Sequence, residues 1–180
     1  MQTYVISRPP QLSALVSAAR QEIADVLSRL GTASIAEIAA ALGRPPDALY
    51  YHVRVLERVG LVVRDVRKRG GREEALFRTV APLLELRYGS PETPRIVGSM
   101  LRLGARDFQR AFVSGAVSKA GARRELWALR TTGWLTAGDL AAVNRRIRAV
   151  RDAVSRPRRQ GRLFAVTIVL TPVDRARASR

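Results

Sequence analysis

The chain has 180 residues, of which 47% are hydrophobic, so it can form one globular domain or two small ones. It has no cysteine, which excludes disulfides and thiolate metal sites, and its single histidine cannot build a usual zinc site. No apolar run reaches the roughly 18 residues of a membrane span. The start, MQTYVISRPP, lacks the apolar core of a signal peptide, so we expect a cytoplasmic protein without membrane contact.

The net charge is +17 and favours a polyanionic partner, because each neutralised phosphate releases counterions. An alternative is a GC-rich genome, which inflates arginine everywhere, since only Lys68 and Lys119 are lysines. Residues 1–89 carry a net charge of +4 and residues 90–180 a net charge of +13. The second half therefore either contacts DNA or another anion, or presents a solvated basic face, which is the interpretation we favour.

The first elements are a short strand or arm at residues 3–7, a break at Pro9-Pro10, and a long helix. From Leu12 to Leu30 apolar residues recur at spacings of three and four, which predicts one amphipathic helix of about five turns ending at Gly31.

A helix-turn-helix pattern follows. Ser34 and Glu37 form a capping box, and Gly43 ends the short helix that they begin. A second helix is predicted from Pro45 to Val59, with both prolines in its first turn. Its apolar side is Leu49, Val53 and Leu56, and its opposite side carries Asp47, Tyr50, Tyr51, Arg54 and Arg58. A helix of this kind can enter the major groove of DNA.

Residues 61–67 and 73–79 are strand-like, and residues 69–72 predict the turn of a β-hairpin. Such a hairpin would form a wing beside the second helix. Its tip carries the basic residues Arg67, Lys68, Arg69 and Arg72.

The stretch ALYYHVRVLERVGLVVRD, followed by GGREEALFR, resembles the winged helix-turn-helix of ArsR-type bacterial transcription regulators. The resemblance is carried by His52, Leu56, Gly60-Leu61-Val62 and Gly71-Arg72, and covers roughly residues 12–80. It implies a DNA-binding regulator. Many such regulators sense metals through cysteine or histidine clusters, which this chain lacks, so we expect neither a metal site nor a cofactor. An unknown small-molecule effector is left open.

A boundary is predicted near Tyr88, which gives a DNA-binding domain at residues 1–88 and a second region at residues 89–180. Pro82 argues against a long strand before this boundary. The second region reads as a helix from Ser90 towards Ser118, a strand at residues 125–135, a helix opened by Thr136, and a strand at residues 163–171.

The second of these helices has an apolar seam at heptad spacing, formed by Leu140, Val143, Ile147, Val150 and Val154. The strand at residues 163–171 is apolar on both faces, and a sheet of two strands is marginal alone. Pairing with a second copy would cover both features, which predicts a homodimer.

Three residues are candidates for reading bases: Arg54, which can bridge guanine, and Tyr50 and Tyr51, which can contact a thymine methyl or a phosphate. A solvated face with one tyrosine packed inward is the alternative. Candidates for backbone contact, in addition to the four basic residues of the wing, are Arg44 and Arg58. His52 borders the apolar side, so a half-buried histidine with its hydrogen bonds satisfied is favoured over a DNA contact or a metal ligand.

No catalytic set is evident: there is no G-x-S-x-G and no P-loop, so we expect no enzyme. Four aromatic residues of the second half either line a ligand pocket or, as we favour, pack in a core or dimer interface: Phe108, Phe112, Trp127 and Trp134.

The predicted fold is α+β: a winged helix-turn-helix of three helices and a hairpin wing, then a smaller helix-strand-helix-strand dimerisation region. The predicted function is a homodimeric, sequence-specific regulator of double-stranded DNA, most simply a repressor. A non-specific nucleoid-associated or RNA-binding architectural protein is the alternative. An enzyme acting on nucleic acid has only the charge in its favour.

Overall fold

A computed structural model describes residues 2–69, 72–156 and 161–173, without the side chains of Arg69 and Arg72. This part of the chain is a mixed fold of six helices and five strands. In chain order they are β1 (Thr3–Ile6), α1 (Pro9–Leu15), α2 (Ala18–Leu30), β2 (Ala33–Ser34), α3 (Ile35–Leu42), α4 (Asp47–Arg58), β3 (Val62–Arg69), β4 (Arg72–Thr79), β5 (Leu83–Leu86), α5 (Thr93–Ser114) and α6 (Ala137–Val154).

The core lies between α2, α3 and α4. Ile23 and Leu27 of α2, Ile38 of α3, and Leu49 and Leu56 of α4 are all fully buried. Each helix buries one apolar stripe in this cluster, which is the periodicity that an amphipathic helix requires. The burial of these side chains is the main source of stability for the lobe.

The capping box at the start of α3 and the glycine at its end are confirmed. The Ser34 hydroxyl accepts a hydrogen bond from the Glu37 amide, and the Glu37 carboxylate accepts one from the Ser34 amide at 2.7 Å. Gly43 ends α3 in the left-handed conformation, with φ of 61°. α4 begins at Asp47 rather than at Pro45, because Pro46 occupies the position that precedes the first helical residue.

Two sheets flank the helices. β4 lies between β2 and β3 and is antiparallel to both, so β3 and β4 form a hairpin in which Val62 pairs with Thr79. β1 pairs in parallel with β5, Thr3 opposite Leu83. The sequence does not predict β5, because proline is unfavourable inside a strand, but Pro82 stands just before the first residue of the ladder and removes no hydrogen bond from it.

The single helix predicted over residues 12–30 is wrong. α1 and α2 are separate, and Ser17 is extended between them, with φ of −79° and ψ of 121°. Side chains satisfy the carbonyl groups that this break exposes: Gln21 Nε2 donates to the Leu15 oxygen at 2.6 Å, and Ser99 Oγ donates to the Val16 oxygen at 2.7 Å. Since Ser99 belongs to α5, the break depends on a tertiary contact that periodicity does not reveal.

α5 packs on the first lobe through Ile96, Ser99 and Leu103, which are buried. Gln21, also buried, donates a second hydrogen bond to the Ile96 oxygen at 3.0 Å. α5 is therefore attached to α1 and α2 by both apolar packing and hydrogen bonds. The predicted boundary between residues 88 and 89 stays a prediction.

The two strands predicted in the second half are wrong as elements of the chain alone. No backbone-to-backbone hydrogen bond to another described residue involves residues 126–135 or 163–171. A strand exists only with a ladder, and neither segment finds a partner within the described chain. The order is thus helix, coil, helix, coil. α6 begins after the predicted Thr136, which forms a capping box with Asp139, and it buries none of its residues.

The capping box at α3 yields a stability prediction. Ser34→Ala removes the acceptor for the Glu37 amide, and we expect the free energy of unfolding to fall by about 1 kcal/mol in urea. Ser114→Ala is the control, because its hydroxyl lies exposed at the end of α5. The control should change stability by less than about 0.5 kcal/mol. Equal effects of the two variants would show that the box contributes nothing specific.

Candidate nucleic-acid interface

The outer face of α4 is a row of exposed polar and aromatic side chains. Tyr50 and Tyr51 are 49% and 68% exposed, and Asp47, Arg54 and Arg58 lie exposed on the same side. The opposite side is fixed, because Leu49, Val53 and Leu56 are almost completely buried. Both tyrosines point outward, so the alternative in which one packs inward does not hold.

A groove of about 360 Å³ lies between α4 and the hairpin of β3 and β4. Arg54 and Arg64 line it together with the carboxylates of Glu57, Glu73 and Glu74. The sequence interpretation did not single out Arg64. The alternation of side chains along β3 could have found it, because Arg64 is exposed on the strand that flanks α4.

The basic residues of the hairpin differ in whether their charge is already paired with a carboxylate. Arg67 Nη2 lies 2.7 Å from Glu74 Oε2, and this hydrogen bond raises the pKa of Arg67. Lys68 is exposed next to it. The side chains of Arg69 and Arg72 lie outside the described residues, although their backbones pair at the end of the ladder. Arg67 and Lys68 are therefore the two basic residues near the hairpin tip whose side chains the structure describes.

Arg44, in the turn between α3 and α4, is held by a carboxylate of α2. Its Nη2 lies 2.6 Å from Glu22 Oε2, and its side chain is only 26% exposed. Glu22, at 13% exposure, also pairs through Oε1 with Arg106 of α5, which in turn contacts Asp107. This four-residue cluster, the Glu22 cluster, connects the helix-turn-helix turn to α5. Arg44 in the turn and Arg106 in α5 are 62 residues apart in the sequence, so residue spacing could not predict this cluster.

His52 is half-buried, and its Nδ1 is buried without a hydrogen-bond partner in the described chain. Burial, followed by the positive charges of Arg20 and Arg44, lowers the pKa of His52. The imidazole is therefore neutral near pH 7. The centroids of the His52 and Tyr51 rings are 5.4 Å apart and the rings meet edge-on. The imidazole therefore packs against Tyr51 and does not extend freely into solvent.

The second half leaves its predicted interface residues uncovered. In the α6 seam, Leu140, Val150 and Val154 are each more than 40% exposed, and Val143 and Ile147 are half-buried. The aromatic residues form neither a core nor a pocket within the described chain. Trp134 is 97% exposed and Trp127 is 66% exposed, in contact with Arg124.

Residues 15–65 match the family model of a helix-turn-helix domain. The protein contains a helix-turn-helix domain. The match runs from the end of α1 into β3, includes the whole of α3 and α4, and covers less than a third of the chain. No match was found among the curated proteins. The domain suggests DNA as a partner and transcription regulation as the role.

Two further site classes find no support in the part of the chain that is described. No helix there is both long and apolar enough to cross a membrane. No group of three or more histidine, aspartate or glutamate side chains there is close enough to hold a metal ion.

The Glu22 cluster yields the second prediction. Glu22→Gln leaves Arg44 and Arg106 facing each other without their shared, mostly buried counter-charge, so the free energy of unfolding should fall by about 1–2 kcal/mol. Urea denaturation at fixed protein concentration measures this. Glu57→Gln is the matched control, since Glu57 has no ion pair in the described chain and should change stability by less than about 0.5 kcal/mol. A double-mutant cycle with Arg106→Gln should show coupling; strict additivity would argue against the cluster.

Proposed function

We propose that the protein is a sequence-specific, homodimeric transcription regulator of the ArsR type, and that it acts as a repressor. The helix-turn-helix match at residues 15–65 supports DNA binding, and ArsR-type regulators are among the proteins of that winged family. Repression and the ArsR assignment rest on the resemblance of residues 12–80. Such a regulator acts on the chromosome, in the cytoplasm, and we assign it no enzymatic activity and no cofactor.

The observation that carries the proposal is the two-sided character of α4. One side is anchored in the core by Leu49, Val53 and Leu56, so the helix cannot rotate without exposing them. The other side offers Arg54, Tyr50 and Tyr51 to solvent. A rigid helix with exposed donors on its free side fits a major groove, where arginine bridges the O6 and N7 atoms of guanine.

The remaining basic residues of the lobe are assigned to the phosphate backbone, where they would orient α4 without reading sequence. Arg58 extends the row on α4, and Arg67 and Lys68, with Arg69 and Arg72, would form the wing contact. Arg44 would contact a phosphate from the turn. Because Glu22 uses only one terminal nitrogen of Arg44, the other donors of that guanidinium stay available.

A non-specific architectural role is the second candidate, and the basic second half favours it. Arg145, Arg146, Arg148 and Arg151 are all exposed on α6. Such a surface binds any duplex or RNA through counterion release, with strong salt dependence and without sequence preference. The two candidates are therefore distinguished by whether the affinity for DNA depends on its sequence.

Selection of bound genomic fragments with the purified protein would supply the operator, and Arg54→Ala would then test the proposal. We expect operator affinity to fall by roughly 5- to 150-fold, since a bidentate contact to guanine contributes about 1–3 kcal/mol of discrimination. Affinity for random duplex should fall much less, by roughly the effect of one phosphate contact. Fluorescence anisotropy at constant salt measures both affinities.

The matched control is Arg110→Ala, which removes an exposed arginine from α5 and should leave the ratio of operator to random affinity unchanged. Equal losses on operator and random DNA with Arg54→Ala would contradict base reading. Failure of the selection to enrich any fragment, together with steep salt dependence, would support the architectural role.

A further inference from the structure

Residues 162–173 form neither a helix nor a strand within the described chain, although the sequence of residues 163–171 is typical of a strand. Between Leu163 and Thr171 the sequence has no charge and no proline, and it is rich in β-branched residues. Its backbone makes no hydrogen bond to the backbone of another described residue. An edge of this kind offers a row of free N–H and C=O groups, and natural proteins normally pair or cover such an edge.

Both faces of this segment are apolar and open. Leu163 and Val169 on one face are 57% and 48% exposed, and Phe164, Val166 and Ile168 on the other are 46%, 52% and 42% exposed. A strand that is apolar on both faces is typical of the interior of a sheet rather than of a solvated edge. The single chain therefore presents an interior strand without the rest of its sheet.

The segment lies against α5 of its own chain. A Cβ atom built on Gly104 would lie 3.0 Å from Thr167 Oγ1, so the glycine permits a close approach of the segment to the helix. α5 is held in turn by the buried Ile96, Ser99 and Leu103 on α1 and α2. The segment is thus held beside a helix that is itself attached to the helix-turn-helix lobe.

The exposed surface is large enough for an obligate interface. The chain exposes 13350 Å², whereas a compact monomer of 19.8 kDa is expected to expose ~8,600 Å². Each chain of an obligate homodimer buries about 1,000–2,500 Å², which is less than this difference, so a second copy can cover an area of that size.

We propose that residues 163–171 form an intermolecular β-strand, paired by backbone hydrogen bonds with the C-terminal half of a second copy. This inference rests on the proposed homodimer and specifies its interface. The backbone pairing through this segment, rather than the α6 seam, carries the association. The partner is a second copy, because self-association gives a two-fold interface in which the same surface is covered on both chains, and two-fold symmetry matches two DNA half-sites.

The test compares Val166→Pro with Val166→Thr in the full chain. Proline removes an N–H donor and blocks strand pairing while it stays apolar, whereas threonine keeps the shape and the strand propensity of valine. We expect the dimer dissociation constant from sedimentation equilibrium to rise by roughly 100-fold for Val166→Pro. For Val166→Thr and for the α6 seam variant Val150→Ala the constant should change by less than about tenfold.

A second measurement does not depend on any variant. Amide hydrogen exchange of the unmodified chain should show protection of residues 163–171 at concentrations where the dimer forms, and loss of that protection on dilution. Circular dichroism and binding of random duplex at low salt check that the helix-turn-helix lobe of each variant stays folded.

Two outcomes overturn the inference. A dimer that survives Val166→Pro and is lost in Val150→Ala would place the association on the α6 seam and leave the proposed regulator intact. A chain that is monomeric at all accessible concentrations, with unprotected amides at residues 163–171, would remove both the strand and the homodimer. Operator selection by such a monomer would still support sequence-specific binding, so failure of the interface and failure of the function are distinguishable.

Discussion

The burial of one side of α4 is the constraint on which the rest of the structure depends. Leu49, Val53 and Leu56 fit against Ile23 and Leu27 of α2. Interiors are packed too densely for a helix to turn about its axis without opening a cavity. The helix therefore has only one orientation, and whatever lies on its other side is presented to solvent. Surface chemistry at this site is a consequence of core packing.

The ends of the helices are fixed by polar side chains rather than by more apolar surface. The oxygen of Val59, just beyond α4, accepts hydrogen bonds from Arg8 at 3.0 Å and from buried Gln11 at 3.1 Å. Gln21 and Ser99 serve the break between α1 and α2 in the same way. Each of these donors replaces water for a carbonyl group that helix geometry leaves free. The lobe is consequently specified by a few hydrogen bonds over long sequence distances as well as by its core.

Local patterns were sufficient to predict the helix-turn-helix, the hairpin and the exposed row on α4. Capping boxes at Ser34 and Thr136, the left-handed Gly43 and the apolar stripe of α4 all act within a few residues, so the sequence contains the whole signal. Features with distant partners were not predictable. The break at Ser17 needs Ser99, β5 needs β1, and Arg44 pairs with Glu22, which also pairs with Arg106 of α5. The strands expected at residues 125–135 and 163–171 illustrate the opposite case. Their local sequence favours a strand, but no neighbouring strand pairs with them within the described chain, so no ladder forms.

The grip of Gln21 and Ser99 on α5 lies close to one end of that helix. α5 has 22 residues and is therefore about 33 Å long. From Ser99 to its last residue, Ser114, the helix extends for about 22 Å, and the buried Leu103 and the Arg106–Glu22 ion pair attach part of this length to the lobe as well. α5 is thus fastened to the lobe by the hydrogen bonds of Gln21 and Ser99 and by the ion pair of Arg106 with Glu22. Because Glu22 also pairs with Arg44, a displacement of α5 would also disturb the side chain that lies in the turn between α3 and α4.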